Sequence, residues 1–452
     1  MEGIEVWITA MSSSTLRQFR HTSTIVALEF VSCLAQIAAE ARKANSTTNR
    51  QLEAEKKKSS RNEGRIRALD QKLKVGEERR EAIETVIKDI FNMYVQFSGG
   101  CGLRKFSNGC YLSSVFVHRY RDIDAKIRSD CVRELGSWIL TLPDLFFDGS
   151  YLRYLGWVLS DTTPQTRLEV VKALTKLFKK KESISNLRHF TERFRPRMVE
   201  MAARDADTNV RAAAADLLDA VREAGYLEPS DIDTVGRLLF DSEPKVRRAV
   251  VGFFVANLKD VLQERLGDLG GEEAVEEALG DDTEDENYEG PTLGWIRLKC
   301  LVEALASYDS QDAGDDPDGQ SQVAERSNGA VTKLGDHIES RFSLAGGSLW
   351  EEVEEIHDWE IIARYLLYDH SANRLDPGAE EEDVEKRIKS AIALDPREEA
   401  ILLHILNASV AASIDEGGEL GARKKGTTKV CASPLFPDSS CTDSIAAYRQ
   451  GN

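Results

Sequence analysis

The chain has 452 residues, with 77 Asp and Glu against 59 Lys and Arg, a formal net charge of −18 and 41% hydrophobic residues. That composition supplies one or more packed cores and excludes a disordered chain, while the acidic balance argues against a protein coated in nucleic acid but permits a local basic face. Seven cysteines (33, 101, 110, 131, 300, 431 and 441) form no CxxC pair, and seven scattered histidines make no HExxH. The thiols therefore read as reduced, and no disulfide frame, metal or other cofactor is expected.

No charged-then-apolar signal peptide opens the chain, which argues against secretion. The longest apolar stretch, Thr24 to Ala39, contains Glu29. It falls short of the roughly 20 residues of a membrane span, so no membrane is expected. Helical signals follow at once. Thr24 to Arg42 carries Ile25, Leu28, Val31, Leu34 and Ile37 at three-residue spacing, and Thr47 to Asn92 reads as one long charged helix with a sparse stripe at Leu52, Ile66, Leu69, Leu73, Ile83 and Ile87. Together they predict a long antiparallel hairpin. Between Arg42 and Arg80 there are 13 basic residues against 6 acidic ones. Lys56, Lys57, Lys58, Arg61, Arg65, Arg67, Lys72 and Lys74 are the candidate phosphate contacts, with Lys58, Arg61 and Arg65 predicted to share one helix face. No base-reading motif accompanies them, so duplex binding would be independent of sequence and steeply salt-sensitive. A solvated helix with a nuclear-import lysine triplet has the same composition.

Residues 92–114, including QFSGGCGLRKFSNGC, are Gly- and Cys-rich and unlike their surroundings. They read either as a loop insertion or as translated non-coding sequence, and carry no functional assignment. Beyond Val115 a repeat appears, in which an Asp is followed five residues later by Ile, Thr or Val and then Arg. Its copies are Asp122/Ile127-Arg128, Asp161/Thr166-Arg167, Asp205/Val210-Arg211 and Asp241/Val246-Arg247, at intervals of 39, 44 and 36 residues. Helical repeats of the HEAT and armadillo kind have periods of about 40–47. Each Asp is expected in the turn between two helices, accepting backbone N–H bonds, with the Arg reaching an Asp of its own or the next repeat. Apolar faces such as Leu168, Val171, Leu174 and Phe178, or Val250, Phe253, Phe254 and Leu258, are core.

Gly267 to Pro291 is an acidic linker, with 11 acids and no Lys or Arg between Asp268 and Glu289, although Glu272 to Leu279 has the pattern of a short helix. Ser307 to Asn328 reads as an exposed loop and Ser371 to Glu382 as another break; helices are predicted at Leu349 to Tyr368 and Arg397 to Ser413. The fold class is all-α, a HEAT-repeat-like α-solenoid with a long N-terminal helical hairpin. No polar capping repeat is visible, so the chain is expected to be the N-terminal part of something longer.

The run VFVHRYRD at Val115, followed by FDGSYLRYLGW from Phe147, resembles the stromalin conservative domain of the stromal-antigen family, the HEAT-repeat accessory subunit of cohesin. ITAMSSSTLRQFRHTST, NRQLEAEKKK and DWEIIARYLLYDHSA resemble fungal members, so that the likeness covers most of residues 8–415. Family members are usually more than twice as long, in keeping with the missing cap. The family also passes almost directly into VFVHRYRD, without an insert. Periodicity, composition and the resemblance together divide the chain into five segments: a helical region with the basic hairpin (1–91), the atypical insert (92–114), the stromalin domain (115–200), HEAT-like repeats with acidic loops (201–415) and a disordered tail (416–452).

It further implies a nuclear, chromosomal and non-enzymatic subunit that supports sister chromatid cohesion. Its implied partners are the cohesin kleisin, the structural-maintenance ATPases through that kleisin, the loader and release factors, and double-stranded DNA. Family regulators dock aromatic-acidic peptides on a surface whose elements match Tyr120, Arg121, Arg153, Tyr154, Trp157 and Arg193. On a helix Arg153 and Trp157 stand at i and i+4 and share a face. Tyr154 and Trp157 are equally suited to buried packing. Neither GxSxG, a P-loop nor a nucleophile with a nearby base is present, so an enzyme is not expected. Another HEAT scaffold or a transport adaptor is the alternative, one that would have a more uniform repeat array and lack both the basic hairpin and VFVHRYRD.

Overall fold

Two long helices open the fold of the computed structural model, which describes residues 7–8, 10–58, 62–92, 115–279, 290–311, 332–334, 337–370 and 384–426. Helix α1 spans Arg17–Lys56, and a short turn folds α2, Glu63–Asn92, back along it. The expected hairpin is present, but the segment read as one helix over Thr47–Asn92 is divided, with α1 ending at Lys56 and α2 beginning at Glu63. The stop is local. The Lys57 N–H closes on the Glu53 carbonyl, and Asn62 starts the next helix by accepting the Arg65 N–H at 3.1 Å, as a capping Asn does. Glu55 staples the turn, bonded to Lys58 Nζ at 2.7 Å and lying 3.8 Å from Arg65 Nε.

The buried face of α1 is also set differently from the predicted stripe. Ala27, Leu28, Val31, Leu34, Ala35 and Ala38 are buried, while Ile25 and Ile37 are 45% and 39% exposed. A three-residue step falls short of the 3.6-residue turn, so a run at that spacing rotates off the buried face at both ends. By length and composition α1 does pass the test for a membrane crossing, contrary to the sequence reading. Its buried stripe, however, packs against the helices that follow, α3 (Val115–Arg119) and α4 (Ala125–Thr141). Polar bonds fasten it as well. Arg20 donates to the buried Asp122 carboxylate at 2.8 and 3.2 Å, His21 Nε2 lies 3.1 Å from Asp130, and Trp138 Nε1 donates to Ser32 Oγ at 2.7 Å.

The repeats continue through α5 (Pro143–Phe146), α6 (Gly149–Val158), α7 (Pro164–Phe178), α8 (Ile184–Arg204), α9 (Thr208–Glu223), α10 (Pro229–Gly236) and α11 (Pro244–Asp268). The second helix of each pair, α4, α7, α9 and α11, stacks on the next. The Asp/Arg motif forms a ladder offset by one repeat. Arg128 forks onto Asp161 at 2.6 and 2.8 Å, Arg167 onto Asp205 at 2.7 and 2.6 Å, and Arg211 onto Asp241. Each arginine is also tied to its own repeat: Arg128 donates to the Asp122 carbonyl at 2.7 Å and Arg167 to the Asp161 carbonyl at 2.8 Å. Every motif Asp accepts the N–H two residues on, from Asp124, Thr163, Asp207 and Glu243 respectively. Those four residues, not the motif Asp, occupy the N-cap positions. At the leading end Arg20 of α1 takes the place of a preceding repeat's arginine, and at the trailing end Arg247 turns to Ser348 Oγ at 3.4 Å.

Two hydrophobic cores meet on α11. Val246, Val250 and Phe253 belong to the first, which reaches back to α1, and Val251 and Phe254 to the second. The second is completed by α12 (Glu272–Leu279), α13 (Leu293–Gln311), α14 (Arg341–Leu349), α15 (Glu354–His357), α16 (Trp359–Leu367), α17 (Val384–Ala391) and α18 (Pro396–Gly426). The helix expected over Leu349–Tyr368 is therefore split. Asp358 caps α16 by accepting the Glu360 N–H at 2.9 Å, and its extended backbone ends α15. Linker boundaries move too: Gly267 and Asp268 belong to α11, Ser307–Gln311 to α13, and residues 416–426, expected in a disordered tail, continue α18. Two three-residue strands, Thr332–Leu334 and His337–Glu339, pair antiparallel where no strand was predicted. Beyond Asn92 the insert, the rest of the two predicted loops and residues 427–452 lie outside the described residues.

Candidate functional site

The FDGSYLRYLGW segment builds a helix that presents one aromatic ring outward. Asp148 caps α6 by accepting the Ser150 N–H at 2.7 Å, which fixes the register of everything after it. Tyr151, Leu152, Tyr154 and Leu155 then face the core, while Arg153 and Trp157 face solvent. Gly156 is required by packing: a Cβ there would lie 2.2 Å from the Phe194 ring of α8. That close seat brings α8 against α6 beside Trp157.

VFVHRYRD arrives from the other side. Asp122 is buried and held by Arg20 and by Arg119 at 2.5 Å, so the chain turns inward at Asp122 and leaves Arg121 outside. Tyr120 and Tyr154 are only 4% and 5% exposed and meet edge to face at 4.9 Å, within a run of rings that continues to Phe116, Phe91 and Trp138. Trp157 is 39% exposed, 5.4 Å from the Tyr154 ring and 6.4 Å from the Tyr120 ring. The Arg121 guanidinium lies 5.4 Å and that of Arg153 5.5 Å from the Trp157 ring, with each also over its own tyrosine at 4.9 and 5.2 Å. Such geometry suits cation–π attraction. Burial, opposed by the neighbouring Arg121, holds the Tyr120 phenol above its usual range, so the ring stays neutral. Arg193 is exposed and lies over Phe194 at 5.4 Å. Five of the six expected residues therefore form one cluster, and Arg193 joins its edge through Phe194 and Gly156.

The basic residues are arranged differently from the predicted stripe. Lys56 ends α1, Lys57 and Lys58 lie in the hairpin turn, and Arg61 lies outside the described residues, so Lys58, Arg61 and Arg65 do not share a helix face. At 100° per residue Arg65 and Lys72 stand on one line of α2 and Arg67 and Lys74 on the opposite line. All four are exposed. What the hairpin offers is a charged tip rather than a stripe. Lys58 and Arg67 are engaged with Glu55 and Glu63, whereas Lys56 and Lys57 project freely among the described residues. Lys58 also holds the Glu55 carboxylate below its usual range.

One basic cluster escaped the sequence reading. Lys176, Lys179 and Lys181 are exposed, with Lys180 half-buried, where α7 ends and a 3-10 turn (Lys181–Ser183) leads into α8. The triplet Lys179-Lys180-Lys181 was its available signal. Lysines are also favoured at a helix C-terminus by the backbone dipole, which by itself accounts for part of the cluster.

The fold and site together define a helical-repeat scaffold that carries an exposed Trp between two guanidiniums, with basic points on its hairpin and at the end of α7. Residues 1–72 match the STAG domain and residues 121–195 the Stromalin conservative domain. Cohesin subunit psc3 of Schizosaccharomyces pombe is 34% identical over 414 residues, 90% of this chain and 39% of that protein. Sister-chromatid cohesion protein 3 of Arabidopsis thaliana is 34% identical over 54% of this chain and 20% of its own length, and human cohesin subunit SA-3 32% identical over 54% and 18%. The solved cohesin subunit Scc3 from Z. rouxii superposes with a TM-score of 0.63 at 21% identity, over 90% of this chain and 40% of that one, a likeness of fold. The chain thus matches both domains of the stromal-antigen family and is similar to cohesin subunits over most of its length. It spans less than half the length of these relatives.

Proposed function

We propose that this chain is a non-enzymatic cohesin subunit acting in sister chromatid cohesion and chromosome organisation in the nucleus. The observation that carries the reading is Trp157, exposed between Arg121 and Arg153, neither of which forms an ion pair among the described residues. An apolar plate flanked by two unneutralised guanidiniums suits an aromatic side chain beside a carboxylate, because stacking and charge-assisted bonding then act together. Tyr120 and Tyr154 serve as the rigid wall behind that plate, and Arg193 borders it. Regulator peptides of aromatic-acidic character are the ligands this surface fits.

In the same reading the hairpin tip (Lys56, Lys57, Lys58, Arg61, Arg65, Arg67, Lys72, Lys74), with Lys176, Lys179 and Lys181, contacts duplex phosphates without reading bases. The kleisin lies along the solenoid and links it to the structural-maintenance ATPases, and loader and release factors are further partners. The functional division runs as residues 1–91, 92–114, 115–200, 201–415 and 416–452. The test is a pull-down on the cohesin kleisin and a regulator peptide, comparing the unaltered chain with Trp157→Ala plus Arg193→Glu. Loss of both in the variant places both partners on this surface. Loss of the peptide alone moves the kleisin contact elsewhere on the solenoid. Failure of the folded, unaltered chain to bind either partner removes the proposal.

A further inference from the structure

A second concave surface lies in the other core, on elements that contribute nothing to the aromatic face or the hairpin. Between α11, α13 and the approach to α15 there is an open cleft of about 280 Å³. Its floor is aliphatic: Val255, Leu258 and Leu262 from one face of α11, Leu298 and Leu301 from α13, and Val353. Its rim is acidic. Residues 351–360 hold six carboxylates and no Lys or Arg, and Glu352, Glu354 and Glu355 line the cleft itself. Arg297 neutralises Glu355 at 2.7 Å. Glu352 and Glu354 are exposed and form no ion pair with any described residue. Lys259 and Arg297 are the cations at the edge.

Neither part needs the other for folding. Exposed carboxylates on a short helix gain nothing from standing over an aliphatic hollow, and Leu258 and Leu262 remain only half-buried because nothing in the chain's described residues covers them. The two features become complementary when a ligand carries both an apolar side chain and positive charge. We infer that this cleft docks a short segment of a partner protein in which one or two leucine-sized side chains are flanked by Lys or Arg. The apolar anchor fills the hollow between α11 and α13, and the flanking cations meet Glu352 and Glu354. A cleft of this volume holds one or two such side chains, and burial of the anchor supplies affinity while the charges set orientation and encounter rate. This surface is independent of the regulator-peptide and DNA readings above.

The test uses the full chain and a fluorescent peptide of sequence Arg-Arg-Leu-Ala-Ala-Leu-Arg-Arg, read by anisotropy. Replacing its leucines by serine, or introducing Glu352→Lys with Glu354→Lys in the protein, is expected to weaken binding by about tenfold or more. Reversing Glu272 and Glu273, exposed acids elsewhere, should leave binding unchanged, which separates docking from general attraction to an acidic protein. Equal binding by all three proteins, or by both peptides, overturns the proposal. So does a chain ending at Ser413 that binds when the full chain does not, since residues 414–452 would then be the occupant. Self-association abolished by the Glu352/Glu354 reversal overturns it in favour of a second copy. The exposed position of both glutamates keeps the variant folded, which an unchanged melting curve checks.

Discussion

Tyr154 and Trp157 stand three positions apart in the chain, yet they do different work. Tyr154 sits within the stacked rings of the first core, and truncating it leaves a cavity among Tyr120, Phe116 and Phe91. Tyr154→Ala should destabilise the chain by about 3 kcal/mol in denaturant titration. Trp157→Ala, at a position 39% exposed, should cost less than about 1 kcal/mol while removing binding of an aromatic-acidic peptide. A comparable melting loss for both would place Trp157 in the core instead. The motif around these residues was legible, because Asp148 and the aromatic pattern announce a capped helix. Which ring points outward was not. That depends on Phe194 of α8 seating on Gly156, a contact made from 38 positions away.

Arg167 carries a prediction of its own at this scale. Its fork onto Asp205 is nearly buried, with side chains 9% and 3% exposed. Arg167→Ala leaves that carboxylate without its cation in a low-dielectric place, and should cost about 3 kcal/mol by urea unfolding.

At the scale of elements, the hairpin tip is where the sequence reading and the folded chain part most clearly. The start of α2 was signalled by Asn62 followed by Glu63, a capping residue and an acid in the first turn. The end of α1 was not, because no Gly or Pro stands between Lys56 and Asn62, and a highly charged run has too sparse an apolar period to betray a break. Asn62→Ala should lower the melting temperature through a loss of about 1 kcal/mol. The tip also makes a measurable claim about DNA. Lys56→Glu with Lys57→Glu and Lys58→Glu should weaken duplex binding uniformly across sequences and reduce the slope of log affinity against log salt by about 2 to 3. An unchanged slope in a filter-binding series would remove the tip from the phosphate contact.

At the scale of the whole molecule the Asp205 rung and Asp124 contribute to the response to acid. Burial alone would raise the Asp205 carboxyl, but the Arg167 fork and the Asp207 N–H bring it below its usual range. Asp124 is lowered chiefly by its bond to Arg17. A carboxyl depressed in the folded state stabilises fully above its unfolded value, near 4, and loses that contribution as pH falls through the folded value. Stability measured by urea unfolding should therefore decline below about pH 4, and Arg167→Ala should flatten that decline. An equally steep decline in the variant would assign acid sensitivity to other groups. The repeat intervals made most of this ladder legible, but they left open whether each arginine reaches its own or the next aspartate, and the fold supplies the one-repeat offset. Its first rung was hidden, since Arg20 lies 102 residues from Asp122 and carries no copy of the motif.

The one-repeat offset also gives the molecule a mechanical grain. Each rung ties consecutive turns on a single edge of the stack, from α1 to Asp241, by charge-assisted forks that stretch poorly. Flexing that lengthens this edge has to part those forks one after another, whereas flexing that shortens it leaves them joined. The solenoid is thus a strip strapped along one side, stiff against opening in one direction and compliant in the other. A chain or duplex laid along it would feel that difference as a preferred direction of curl.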